Sequence, residues 1–142
     1  MKIPSIKKLM TPFPNWVSSE ASIDDALVMM KEHAIRHLPV KHNGELFGVI
    51  TERDIKQAQN IVEKAVSQNL KVKDICIQHL YVVEMETPID EVLMNMVERH
   101  IGSALVIKQG RLAGLFTTSD ACRCYAEHLR YTLRVSGGND VA

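Results

Sequence analysis

The side chains best suited to chemistry in this sequence are a threonine and an aspartate three residues apart, and the pair occurs twice. Gly48–Asp54 (GVITERD) and Gly114–Asp120 (GLFTTSD) share the pattern Gly-x-x-Thr-x-x-Asp. In each, the threonine closes an apolar run, so it reads as the N-cap of a following helix, with the aspartate on the first turn and on the same side. Unpaired backbone N–H groups and the positive end of the helix dipole gather there. Such a site favours phosphate, and the nearby carboxylate can accept hydrogen bonds from both vicinal hydroxyls of a ribose. The same residues are also an ordinary capping pattern worth about 1 kcal/mol. Context has to decide between the two.

The charges around the two motifs differ. Arg36, His37 and Arg53 accompany Thr51 and Asp54, whereas the aligned positions of the second motif are Gly102, Ser103 and Ser119. Arginine offers bidentate, charge-assisted bonds to phosphate. The cleft around Thr51 and Asp54 is therefore expected to prefer a phosphorylated ligand. The one around Thr117 and Asp120 is expected to hold a less charged ligand, or none.

Other chemistries find little support. His33 and His37 are four apart, but the helix carrying His33 should end near His33–Ile35, so the spacing does not make a metal site. Cys122 and Cys124 lie about 200° apart around a helix and cannot converge on one ion. Cys122 falls on an expected apolar stripe and reads as a buried thiol. Met29, Met30, Met94 and Met96 read as helix packing or dimer contact. The sequence holds no Walker A, Rossmann, zinc or Gly-x-Ser-x-Gly motif. No catalytic residue or metal ligand is expected.

The rest of the chain must position these residues. It has 142 residues, 46% hydrophobic and only 5% aromatic, and 17 Lys+Arg balance 17 Asp+Glu. That neutrality leaves no global field to draw the chain onto nucleic acid or an anionic membrane, though a local cluster can still hold a small anion. The first residues lack the apolar stretch of a signal peptide. No run approaches the roughly 18 apolar residues of a membrane span. Three cysteines at irregular spacing do not suggest a disulfide framework. The cytoplasm is the expected compartment.

Shifting the chain by 66 residues aligns Ile6–Ala58 with Val72–Cys124 without a gap, and 15 of the 53 pairs are identical. The chain is thus a tandem duplication. Each copy reads as strand, helix, strand, strand, helix. The first strand covers Trp16–Ser18, matched by Tyr81–Glu84. The next helix is capped by Ser22 in copy one, with an apolar stripe of Ile23, Ala26, Leu27, Met30 and Ala34. In copy two Thr87 is the expected cap, with Pro88 at the first helical position. A hairpin follows, Leu38–Lys41 and Glu45–Ile50 about Asn43-Gly44, echoed by Ala104–Ile107 and Arg111–Phe116 about Gln109-Gly110. The closing helices should run from Thr51 to about Ser67 and from Thr117 or Thr118 to about Arg134. Their expected stripes are Ile55, Ala58, Val62 and Ala65 or Val66, and Cys122, Tyr125, Leu129 and Leu133. Residues 3–68 and 69–134 form the two units, and 135–142 are expected to be a frayed tail. At about 60 residues neither unit buries enough surface alone, so the two should pack into one body.

This order, the RHLPV stretch at Arg36–Val40, the GSALVI stretch at Gly102–Ile107 and the two closing motifs strongly resemble a pair of CBS (cystathionine β-synthase) domains. The resemblance covers about residues 3–133. It implies an α/β (α+β) fold in which two repeats pack about a pseudo-two-fold axis, and a disc-shaped homodimer of such pairs. It implies non-catalytic, regulatory binding of an adenosine-containing ligand: AMP, ADP, ATP, S-adenosylmethionine or a cyclic dinucleotide. Carried over residue by residue, Asp54 and Asp120 match the ribose-binding aspartate, and Thr51 and Thr117 the hydroxyl beside ribose and phosphate. In some members a His-Arg pair at the position of Arg36–His37 reaches the phosphates; here the order is reversed. The base would rest among apolar side chains and bond to backbone near Val17, Ser18 and Ser19, or near Val83–Met85. The implied partners are that small molecule, a second copy and a separate regulated protein, with no nucleic acid or membrane. The alternative is a structural dimerisation scaffold with vestigial clefts.

Overall fold

The computed structural model of the chain describes residues 2–137. The duplication is visible in its backbone. Copy one supplies β2 (Val17–Ser18), α1 (Ile23–Glu32), β3 (His37–His42), β4 (Glu45–Thr51) and α2 (Glu52–Ile61), after a short β1 (Thr11–Pro12). The short helices α3 (Lys64–Ser67) and α4 (Val72–Ile75) lead into copy two. There β5 (Val82–Glu84), α5 (Ile89–Arg99), β6 (Ser103–Lys108), β7 (Arg111–Thr117) and α6 (Thr118–Gly137) follow. β2 runs parallel to β3 and β3 antiparallel to β4; β5, β6 and β7 repeat this.

Both hairpins turn as their sequences demand. Asn43 and Gly44 have φ of 50° and 80°, and Gln109 and Gly110 have 51° and 76°. Two consecutive positive φ values make the turn whose twist matches that of the flanking strands. The register sets His37 opposite Thr51 and Ser103 opposite Thr117.

Each copy completes its core with the leading segment of the other. Ile6, at the start of copy one, is fully buried among Val83, Val92, Val106 and Phe116 of copy two. Its counterpart Val72 is fully buried among Val17, Ile23, Val40, Ile50 and Ile55 of copy one. β1 joins the edge of β7, with Thr11 opposite Leu115, and Ile77 makes the matching bridge to Val49. Burying one such side chain contributes about 1.5–3 kcal/mol. The exchange is one physical reason why two half-size units form a single body.

The exchange also decides how the first helices start. Ser22 caps α1 by accepting the Asp25 N–H at 3.0 Å. In copy two the expected Thr87 cap is not found: Pro88 itself is the extended N-cap of α5, without a side-chain cap bond. Backbone from the exchanged segment still takes the first helical N–H, that of Ile89 donating to the Pro4 carbonyl at 2.9 Å. The same bond in copy one runs from Ile23 to Leu70.

The closing helices depart from expectation in two ways. The first does not run on to Ser67; it ends at Ile61, and extended backbone at Val62 and Glu63 turns the chain into α3. Of its expected stripe only Ile55 is fully buried, and the turn leads the chain back towards the start of α1. In α6 the stripe is out of phase: Ala121 and Cys124 pack on the core, while Cys122 is exposed. Tyr125, Leu129 and Leu133 are exposed too. The helix continues to Gly137, beyond Arg134, and residues 138–142 of the expected tail lie outside the described residues.

Candidate functional site

Thr51 is extended, as an N-cap must be, and closes a full capping box at the start of α2. Its Oγ1 accepts the Asp54 N–H at 3.1 Å, and the Asp54 carboxylate accepts the Thr51 N–H at 3.4 Å. The first helical N–H, on Glu52, donates to the Arg36 carbonyl at 2.9 Å. That bond ties the start of β3 to the start of α2, and the hairpin register sets His37 beside Thr51. An open cleft of about 500 Å³ results, lined by Arg36, His37, Thr51, Glu52, Arg53, Lys56, Gln57 and Asn60.

Four of the expected residues, Arg36, His37, Thr51 and Arg53, thus share one cleft. Lys56 and Gln57 join them one turn into α2, with Lys56 paired to Glu52 at 3.1 Å. Lys56 lies three residues after Arg53, and that helical spacing was the available signal for it. His37 reaches towards copy two: its Nε2 lies 3.6 Å from where a side chain on Gly102 would begin. Burial lowers the His37 pKa, while the carboxylates of Asp54 and Asp120 pull the other way. The ring therefore sits in the field of both motif aspartates.

The second motif is built alike and held differently. Asp120 is buried, and its Oδ2 accepts both the Thr117 N–H at 2.9 Å and the Thr117 hydroxyl at 3.2 Å. Its Oδ1 accepts from the Arg123 guanidinium at 2.6 Å. Arg123 stands where copy one has Gln57, and its pKa is raised by that bond.

Neither the expected base-binding residues nor Asp54, Thr117 and Asp120 line the 500 Å³ cleft. Val17 lies in the core of copy one and Val83 in that of copy two. Ser19 is buried, its Oγ 2.7 Å from His42 Nδ1, with its N–H donated to the Lys41 carbonyl and its carbonyl accepting from Lys73. Ser18 is exposed, and its Oγ accepts the Glu20 N–H at 3.2 Å. Among the described residues, no three His, Cys, Asp or Glu side chains are grouped to hold a metal, and no helix is long and apolar enough to cross a membrane.

Comparison with known proteins bears on the family and the fold. The family model for the CBS domain matches twice, over residues 6–60 and 72–127. A CBS domain-containing protein of Dictyostelium discoideum is 31% identical over 125 residues, spanning 81% of this chain and 86% of that protein. The L-aspartate semialdehyde sulfurtransferase of Methanocaldococcus jannaschii is 29% identical over 123 residues, but the match covers only 23% of that enzyme. Among solved structures, the CBS domain pair of protein MJ0100, in complex with methylthioadenosine and S-adenosyl-L-methionine, superposes with a TM-score of 0.78 at 26% identity. The superposition covers 89% of this chain and 99% of that one.

Proposed function

The chain belongs to the CBS-domain family, with two tandem repeats, and from that premise we propose that it is a non-catalytic regulatory module for an adenosine-containing ligand. The observation that carries this reading is the gathering of Arg36, His37, Arg53 and Lys56 around the N-terminus of α2, on one cleft with Thr51. Three permanent cations, one of them paired with Glu52, suit a phosphate better than a neutral nucleoside. The positive end of the α2 dipole points the same way, although the Glu52 and Asp54 N–H groups are already taken by the Arg36 carbonyl and the Thr51 cap. Asp54, whose carboxylate takes a single hydrogen bond among the described residues, would accept the ribose hydroxyls. AMP, ADP or ATP is therefore favoured over S-adenosylmethionine in this cleft. The adenosine ligands of the MJ0100 pair support the class.

Ligand binding would bias the angle between the two repeats, because His37 of copy one meets Gly102 of copy two at the cleft. A ligand shifts such an equilibrium only by its differential affinity for the two states. The signal would pass to a separate regulated protein. The module would work in the cytoplasm as a homodimer, with α6 presenting exposed Tyr125, Leu129 and Leu133 to its partner.

Calorimetric titration of AMP, ATP and adenosine into wild type and Asp54→Ala tests the reading. The expected result is tighter binding of the phosphorylated ligands, and a loss of at least tenfold in Asp54→Ala. Unchanged affinity in that variant would overturn the assignment. A thermal-shift screen tests the scaffold alternative, since a ligand at 100 times its Kd adds about 2.7 kcal/mol of stability. No response to any adenine compound would favour the scaffold.

A further inference from the structure

The two motif aspartates are in different states of engagement, and the charged part of the difference comes from one residue. Among the described residues the Asp54 carboxylate takes one hydrogen bond, from its own capping box. The Asp120 carboxylate takes three, and the third comes from Arg123. The Arg123 side chain is 58% exposed and the Asp120 side chain only 9%. The guanidinium therefore covers the solvent side of a buried carboxylate, the side from which a ligand hydroxyl would have to arrive. A ribose hydroxyl bonded to this carboxylate would be charge-assisted too, but only the guanidinium also brings the opposite charge, so the hydroxyl would have to displace an ion pair. Copy one has Gln57 at the equivalent position, and Gln57 lines the open cleft.

We propose that Arg123 is a specificity-determining residue that competes with ribose for Asp120, and so leaves the chain with one strong nucleoside site, in copy one. This rests on the adenosine reading above and deepens it: the duplicated motif is retained twice but left open once. The remaining positions agree. Where copy one lines its cleft with Arg36, His37, Arg53 and Lys56, copy two has Gly102, Ser103, Ser119 and Cys122. These positions of copy two thus supply no cation to help a phosphate displace the guanidinium.

Asp54→Ala isolates the second site, and adenosine is the probe because that site lacks the phosphate-side cations. Calorimetry on Asp54→Ala, Asp54→Ala/Arg123→Gln and Asp54→Ala/Arg123→Gln/Asp120→Asn gives the comparison. The expected result is weak binding in the first, about tenfold tighter binding in the second, and loss of that gain in the third. Arg123 is exposed, so its replacement by the copy-one residue should leave the fold intact, and circular dichroism verifies this. Equal affinity with and without Arg123, including no binding in either, would overturn the proposal. So would weaker binding once Arg123 is gone, which would make it a ligand contact rather than a competitor. AMP binding to the wild-type chain reads the first site separately. If it is absent while the Arg123→Gln gain is present, the assignment of the copy-one cleft falls and the competition stands.

Discussion

His37 and Gly102 face each other across the two copies: the imidazole Nε2 lies 3.6 Å from where a Cβ on Gly102 would stand. That distance is ordinary van der Waals contact, so one methyl fits and a branched side chain does not. Copy one carries Arg36 at the position of Gly102. Gly102→Ala should therefore leave AMP affinity within about twofold. Gly102→Val should displace His37 from the cleft and weaken AMP binding about tenfold, at a cost of about 1–3 kcal/mol in stability from overpacking. Calorimetry and thermal melts of the two variants read both effects.

The same burial gives His37 a pH signature. Its folded pKa lies below the ordinary 6.5, with burial outweighing the pull of Asp54 and Asp120. The unfolded chain therefore binds this proton more readily than the folded chain, and stability rises with pH where that holds. As pH falls below about 6.5, the fold should lose the part of its stability that depends on a neutral His37. The loss should level off once pH passes the lowered folded value. Melting temperatures of wild type and His37→Asn between pH 8 and 5 are the check, and the difference between them should shift in His37→Asn's favour as pH falls.

Much of this arrangement is written locally in the sequence. Asn43-Gly44 specifies its turn because few other residue pairs accept consecutive positive φ, and in copy two Gly110 carries that signal alone. Ser22 and Thr51 announce helix starts because their oxygens accept the first free N–H groups. What a sequence does not write is the identity of the surface an apolar residue packs against. Ile6 and Val72 announce burial, but only the fold shows that each is buried in the opposite copy. The phase of α6 escapes the sequence for a related reason. The helix outruns the body that supports its first turns, so the regular spacing of Tyr125, Leu129 and Leu133 is not a record of the chain's own core. Arg123, three residues beyond Asp120, carried a legible helical spacing, yet its bond competes with the very role that the motif suggests.

The exchange also explains the glycine that opens each motif. A Cβ on Gly48 would stand 2.8 Å from the Ile77 carbonyl oxygen and 3.0 Å from Cys76 Sγ. That carbonyl already accepts the Val49 N–H at 2.9 Å, so it cannot move away without losing a ladder bond. A Cβ on Gly114 would instead meet the side chain of Met10, which has rotamers free to swing aside. Glycine is needed here for the close approach of the exchanged segment, not for the ligand. Gly48→Ala should cost about 1–3 kcal/mol, and Gly114→Ala clearly less. Urea unfolding of the two variants gives the comparison; equal losses would sink the explanation.

The leading segment of copy two is held to copy one by a small ionic cluster whose pH range is well defined. Glu20 accepts from Lys71 at 2.8 Å and from Lys73 at 2.9 Å, and the two ammonium groups lower its pKa from 4.5 to about 2. A carboxylate with a lowered folded pKa contributes stability that is present above its unfolded value and lost as pH falls towards its folded one. Wild type and Glu20→Gln should therefore differ most above pH 4.5 and converge by about pH 2. The cluster is exposed, so the gap should also narrow as salt rises from 0.01 M to 1 M and the screening length falls from about 30 to about 3 Å. Thermal melts of the pair across both series test this. A gap that ignores salt would mean that Glu20 acts through packing, not through charge.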